Sequence, residues 1–243
     1  MKIVKWIKVS VLLLILFLSA QAKAQTADDV IKKYVQFIGG KKNWKKVKTI
    51  TTSGEYDYGG IVFPFHTFSK RPDKYKFVVP FNGKYYAQAF DGTKGWKIDA
   101  FKNETKPTLL SGKAARAMAN ESDVELESAL INYPDKGHQV KLVGKDSVQH
   151  RLCFNIELTK KNGEIENYYF DSQSAELVKK SALAKNVELG GTLLTIFYSD
   201  YREVEGLMIP FKTVCQSEGQ MILTVIISKA ALNTPIDDEI FQP

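Results

Sequence analysis

The sequence predicts an α+β fold: a strongly curved antiparallel sheet of roughly ten or eleven strands with helices lying against its concave side. Three observations predict it. After one amphipathic helix, the hydrophobic period changes from helical spacing to two near Val47 and, apart from one interruption, stays there. Turn signals such as Asn82-Gly83 and Asn162-Gly163 separate the alternating stretches, as in chains of hairpins. Several strands are apolar on both faces: Tyr85 beside Tyr86, Leu193 beside Leu194, Ile222 beside Leu223. A sheet with one wet face does not need this, so each face is covered or lines a cavity.

Residues 1–24 read as a signal peptide. Lys2, Lys5 and Lys8 make a basic start, Val9–Leu18 is apolar but short for a membrane span, and Ala22 and Ala24 offer cleavage sites. Cleavage after Ala24 leaves 219 of the 243 residues as a single domain, 25–243. Thr26 suits a helix N-cap, and Asp28 and Asp29 suit the first turn, where the helix dipole favours anions. Val30, Tyr34, Phe37 and Ile38 recur at helical spacing until Gly39-Gly40. Lys41, Lys42, Lys45 and Lys46 then surround Trp44, a charged turn at the helix exit.

The strands follow. Ile61, Phe63 and Phe65 alternate, then Tyr75, Phe77 and Val79, then Tyr85, Ala87 and Ala89, with Trp96 and Ile98 in a fifth strand. Between Thr105 and Tyr133 the period is helical again, predicting one helix over Leu109–Ala119 and a second over Val124–Tyr133. The sheet resumes with Leu152, Phe154, Ile156 and Leu158, then Tyr168 and Phe170. Further strands lie near Leu177–Leu183, Leu193–Tyr201, Ile209–Cys215 and Met221–Ile227.

Charge and motif content exclude several classes. Removing the four lysines of the leader from a formal net charge of +7 leaves +3, no nucleic-acid footprint. His66, His138 and His150 lie on separate strands or strand ends, with no metal-ligand spacing. No nucleophile elbow or glycine-rich phosphate loop is present, so neither an enzyme nor a cofactor is expected. Cys153 and Cys215 fall on strands about four apart, too far for a disulfide. Neither follows the leader, so no lipid-anchor cysteine is expected. Phe, Tyr and Trp make up 12% of the chain, mostly at alternating positions. They fit a sheet core or an apolar pocket for an acyl chain, and composition leaves both open.

The stretch Ser69-Lys70-Arg71-Pro72-Asp73-Lys74-Tyr75-Lys76-Phe77 resembles the Arg-Pro hairpin of the LolA-like outer-membrane lipoprotein-sorting proteins. Phe90-Asp91-Gly92-Thr93-Lys94-Gly95-Trp96 is similar to that family's Asp-Gly-x-x-x-Trp strand pair, in the same order and spacing. Phe37-Ile38-Gly39-Gly40, Tyr198-Ser199-Asp200-Tyr201 with Gly206-Leu207-Met208-Ile209-Pro210-Phe211, and Pro235-Ile236-Asp237-Asp238-Glu239-Ile240-Phe241 resemble the larger branch found in Bacteroidetes-type bacteria.

The resemblance implies an incomplete β-barrel closed by helices, and a soluble monomeric periplasmic carrier. Its cargo would be the acyl chains of lipoproteins or lipids, passed from an inner-membrane donor complex to an outer-membrane receptor. Arg71 matches the arginine thought to bond the lid helix and gate the cavity. The expected ligand-binding residues are Phe63, Phe65, Tyr75, Phe77, Ala87, Trp96, Phe154, Ile156 and Ile196, although strand parity is unassigned because a one-residue slip inverts it. The same fold also implies an alternative, a periplasmic sensor or interaction module that holds a membrane-protein partner. Such proteins add a second domain, for which this chain leaves little room.

Overall fold

Thr26 opens the first helix. The computed structural model describes residues 25–112, 114, 115, 118, 129–184 and 191–243. The leader and most of 113–128, including much of both helices expected there, lie outside the described residues. Helix α1 spans Ala27–Phe37 behind a capping box: the Thr26 hydroxyl accepts from the Asp29 N–H, and the Asp29 carboxylate accepts from the Thr26 N–H. Two amides without helical acceptors are thereby satisfied. The helix ends at Gly39, whose φ is +103°. Glycine is also required sterically, since a Cβ there would stand 2.3 Å from the Gly206 carbonyl oxygen. A one-turn helix, α2, follows at Lys41–Trp44. The Trp44 indole N–H donates back to the Ile38 carbonyl at 2.9 Å.

Among the described residues, thirteen strands form one antiparallel sheet. They are β1 Thr49–Tyr58, β2 Ile61–Lys70, β3 Lys74–Phe81, β4 Lys84–Phe90, β5 Gly95–Asp99, β6 Thr108–Leu109, β7 Gln139–Val148, β8 Arg151–Thr159, β9 Ile165–Asp171, β10 Leu177–Leu183, β11 Leu193–Val204, β12 Leu207–Ser217 and β13 Gln220–Leu232. Their order is β6-β5-β4-β3-β2-β1-β13-β12-β11-β10-β9-β8-β7. Two meanders are thus joined by pairing the first strand with the last. At this seam the register shifts beside Gly54, where a Cβ would lie 2.0 Å from the Ile226 carbonyl oxygen. Only glycine allows the two backbones to approach this closely.

This architecture corrects the expected one. The sheet has thirteen strands rather than ten or eleven, and it is neither a strongly curved sheet nor an incomplete barrel: it is open, with β6 and β7 as its edges. The apolar character of both faces, which had suggested curvature, has a different cause. On one face α1 packs Val30, Ile31, Tyr34 and Ile38 against Phe154, Ile156, Leu158, Tyr168 and Phe170. On the other, the C-terminal segment crosses the sheet and buries Phe241 completely. Lys70 and Lys74 hold Asp238 at 2.7 and 2.9 Å, and Lys76 donates to the Ile240 carbonyl at 2.7 Å. A second correction concerns residues 129–137, expected to include the end of a helix. They form turns, with Asn132 at φ +55°.

Candidate functional site

Cross-strand partners share a face, so the register assigns each side chain to one side of the sheet. Ile156 lies opposite Tyr168, Tyr168 opposite Lys180, Lys180 opposite Ile196, and Ile196 opposite Cys215. Cys215 lies opposite Leu223, Leu223 opposite Tyr58, and Tyr58 opposite Ile61. This row runs across eight strands on the side that α1 covers. Alternation adds Phe154, Phe63 and Phe65 to that face. The pairs Ser69–Tyr75 and Thr67–Phe77 add Tyr75 and Phe77.

Ala87 and Trp96 lie on the other face, where they pack with Ala89 and Ile98. The Trp96 indole N–H donates to the Phe241 carbonyl at 2.7 Å. The structure therefore does not bring these two together with the remaining expected residues.

The face on which α1 packs has two zones, one beneath the helix and one beyond it on β1–β4. Phe154 and Ile156 are packed beneath the helix as closed core. Phe63 and Phe77 belong to an aromatic group that is only half-buried, while Phe65 beside them is buried. Phe77 lies 5.7 Å from Tyr56, 6.1 Å from Phe65 and 6.3 Å from Tyr86 between ring centroids, and Phe63 lies 5.7 Å from Phe101. Such edge and offset contacts contribute about 0.5–1.5 kcal/mol each beyond burial. Tyr75 packs with Phe90 and Met118 at one border of this group, and Ile196 is half-buried along the same face. Burial pushes the Tyr56 hydroxyl pKa upward, with Tyr58 and Cys215 adding to the shift. Tyr56 and Tyr86 were missed by sequence reasoning. Tyr56 sits in a polar strand, and Tyr86 adjoins Tyr85, so parity could not select between them.

One buried cluster of charged groups lies on this face. Glu166, 1% exposed, receives Lys160 at 2.7 Å and Lys180 at 3.1 Å, and the Tyr168 hydroxyl donates to it. Burial opposes the charge on Glu166, but the two lysines and the Tyr168 hydroxyl outweigh it and hold the carboxyl pKa down to about 2. Burial pushes the Tyr168 hydroxyl pKa well up and draws the Lys180 pKa down. Removing one partner from a buried charge set of this kind leaves an uncompensated buried charge, which is costly.

Arg71 donates from Nε to the Val47 carbonyl at 2.6 Å and from Nη2 to the Trp44 carbonyl at 3.2 Å. Its own N–H donates to the Lys48 carbonyl at 2.9 Å. The guanidinium therefore clasps the exit of α2, where free carbonyls attract a cation. The core of the helical insertion, expected to supply its partner, lies outside the described residues.

Cys153 and Cys215 are free, buried thiols on strands four apart and on opposite faces. Among the described residues no cluster of three or more His, Cys, Asp or Glu side chains could hold a metal ion. No helix among them is long and apolar enough to cross a membrane.

No family model matches the chain, and no curated protein does. Solved structures are similar in fold. A LolA superfamily protein from Nitrosomonas europaea superposes with a TM-score of 0.57 at 15% identity, over 90% of this chain and 99% of that one. A DUF1329 family protein from Desulfovibrio piger gives 0.58 at 13% identity, over 90% and 98%. A domain assigned to outer-membrane lipoprotein sorting, from Vibrio parahaemolyticus, gives 0.54 at 10% identity, over 88% and 95%. At these identities the likeness is one of architecture: the chain has a LolA-superfamily-like fold.

Proposed function

We propose that the protein is a periplasmic carrier that binds the acyl chains of lipoproteins or lipids on the α1 side of the sheet, over β1–β4, for transfer toward the outer membrane. The observation that carries this reading is the half-buried aromatic group formed by Tyr56, Phe63, Phe77 and Tyr86. A face built only as core would bury these rings fully. Left partly open, they offer a contiguous apolar surface, and each CH₂ placed on it gains about 0.8 kcal/mol.

The leader supports export to the periplasm, and the LolA-like architecture supports the carrier role. The Tyr198–Phe211 and Pro235–Phe241 motifs support a place in the larger branch of the group. No chemistry is required of the protein. Phe63, Phe65, Phe77 and Ile196 contact the chain in this reading. Arg71 holds the α2 exit against the sheet while no chain is bound. Native mass spectrometry of the protein purified without detergent tests the reading. Bound species of acyl-lipid mass are expected; a lipid-free protein carrying a specific protein partner would favour a sensor instead.

A further inference from the structure

A half-buried lysine stands beside the aromatic group without a partner. Cross-strand pairing runs from Thr67 to Phe77, Gln88 and Lys97 through β2, β3, β4 and β5. Lys97 therefore shares the face of the aromatic group, two strands from Phe77. Strands about 4.8 Å apart put the two Cα atoms roughly 10 Å apart, within reach of one ligand. Lys97 makes no hydrogen bond or ion pair with a described residue. Other lysines on this face are engaged. Lys160 and Lys180 hold Glu166, Lys145 stands 4.9 Å from the centre of the Phe154 ring, and Lys84 donates to the Asn103 side-chain oxygen at 3.4 Å.

The rows on either side of Lys97 carry apolar groups. Along one, Tyr75 and Phe90 pack with Met118, and a Cβ at Gly95 would stand 3.3 Å from Leu110. Along the other lies Tyr86, 6.3 Å from Phe77 between ring centroids. Gln88, between Phe77 and Lys97, accepts from the Tyr86 hydroxyl at 2.9 Å through its oxygen, which leaves its amide N–H groups to donate. Two carboxylates belong to this corner. Asp99, opposite Tyr86, has Lys102 at 3.7 Å, and the Glu104 N–H donates to the Asp99 carbonyl at 3.0 Å. Neither carboxylate is within 4 Å of the Lys97 ammonium, and Lys84, Lys97 and Lys102 outnumber the two acids. The unmatched charge is positive.

We propose that Lys97, with the Gln88 amide, receives the anionic headgroup, carboxylate or phosphate, of a lipid whose chain lies on Phe77 and its aromatic neighbours. This rests on the carrier reading and narrows it to acidic lipids. An acyl chain in ester or amide linkage to a lipoprotein presents no charge for Lys97 to meet. A half-buried cation beside apolar side chains is costly without a counter-charge, and a charge-assisted hydrogen bond formed there is stronger than a neutral one.

The experiment titrates two pyrene-labelled probes of one chain length, the free fatty acid and its methyl ester, into the protein. Wild type should bind the acid about tenfold more tightly than the ester, the low end for one charge-assisted hydrogen bond. Lys97→Met keeps the apolar stem and should bring the acid down to the ester's affinity, while Lys97→Arg should keep the preference. Lys145→Met removes the same charge elsewhere on this face and should behave like wild type. Far-UV circular dichroism checks folding, and Lys97→Gln carries the same prediction if Lys97→Met is unfolded. Displacement by lysophosphatidic acid, set against monoacylglycerol of the same chain, repeats the comparison for a phosphate. The anion that binds wild type more tightly and loses more in Lys97→Met is the one the site takes.

Equal affinity of the wild type for acid and ester overturns the proposal. So does a preference that survives Lys97→Met, or one lost equally in Lys145→Met. Each of these outcomes leaves the carrier reading standing, because both probes still bind. Failure of both probes to bind the wild type removes the carrier reading and this proposal with it.

Discussion

The indole N–H of Trp96 donates at 2.7 Å to the carbonyl of Phe241, 145 residues later, and both side chains are buried. The last residues of the chain therefore close the face of the sheet opposite α1. Phe241→Ala should cost about 3–5 kcal/mol, the usual loss for a buried phenylalanine. Trp96→Phe keeps most of the apolar volume and should cost less, about 1 kcal/mol for one hydrogen bond plus the trimmed ring. Urea unfolding followed by far-UV circular dichroism measures both, and equal losses would contradict the assignment.

The seam between the two meanders should be the position least tolerant of a methyl group. Gly54→Ala places a Cβ 2.0 Å from the Ile226 carbonyl oxygen, where neither backbone can yield. Nothing lies within 4 Å of a Cβ at Gly60. Gly60→Ala should lower the melting temperature modestly through its φ of +86°, and Gly54→Ala far more.

Acid should weaken the protein through Glu166. Its folded pKa of about 2 lies below the ordinary 4.5, so its contribution is present above pH 4.5 and is lost as pH falls toward 2. The loss is on the order of 3 kcal/mol. Urea midpoints at pH 6 and pH 3 should differ less in Glu166→Gln than in wild type. That variant should also be less stable at pH 6, because Lys180 loses its partner in a buried setting.

Arg71→Leu should leave the sheet folded and change exchange of the bound chain. The substitution removes charge-assisted bonds to the Trp44 and Val47 carbonyls, each worth about 1.5–3 kcal/mol. If those bonds belong to the empty, closed state, the variant retains a fluorescent fatty acid longer than wild type when acceptor vesicles are added. Equal transfer rates would reduce Arg71 to a hairpin residue.

Local chemistry made much of this legible. Thr26, Asp29 and Gly39 announce α1 and both its ends, and Asn82-Gly83 and Asn162-Gly163 mark hairpins that the sheet contains. The edges were illegible for physical reasons. β6 is two residues long, and β7 is mostly exposed, so its apolar alternation is weak. Parity failed where both faces are apolar. In β4, Tyr86 faces the α1 side while Ala87 and Ala89 face the C-terminal segment, and only the register separates them. The pairing of β1 with β13 is a long-range contact that no short window of sequence contains.

The central claim is that the aromatic group of β1–β4, on the α1 side of the sheet, holds an acyl chain. Titration of a fluorescent fatty acid tests it most directly, with Phe77→Asp as the partner measurement, since a carboxylate among Tyr56, Phe65 and Tyr86 would be costly beside a hydrocarbon chain. Saturable binding by the wild type, lost in Phe77→Asp with the far-UV spectrum preserved, is the predicted result. A folded wild type that binds no probe, or a folded Phe77→Asp that binds it equally well, would contradict the account.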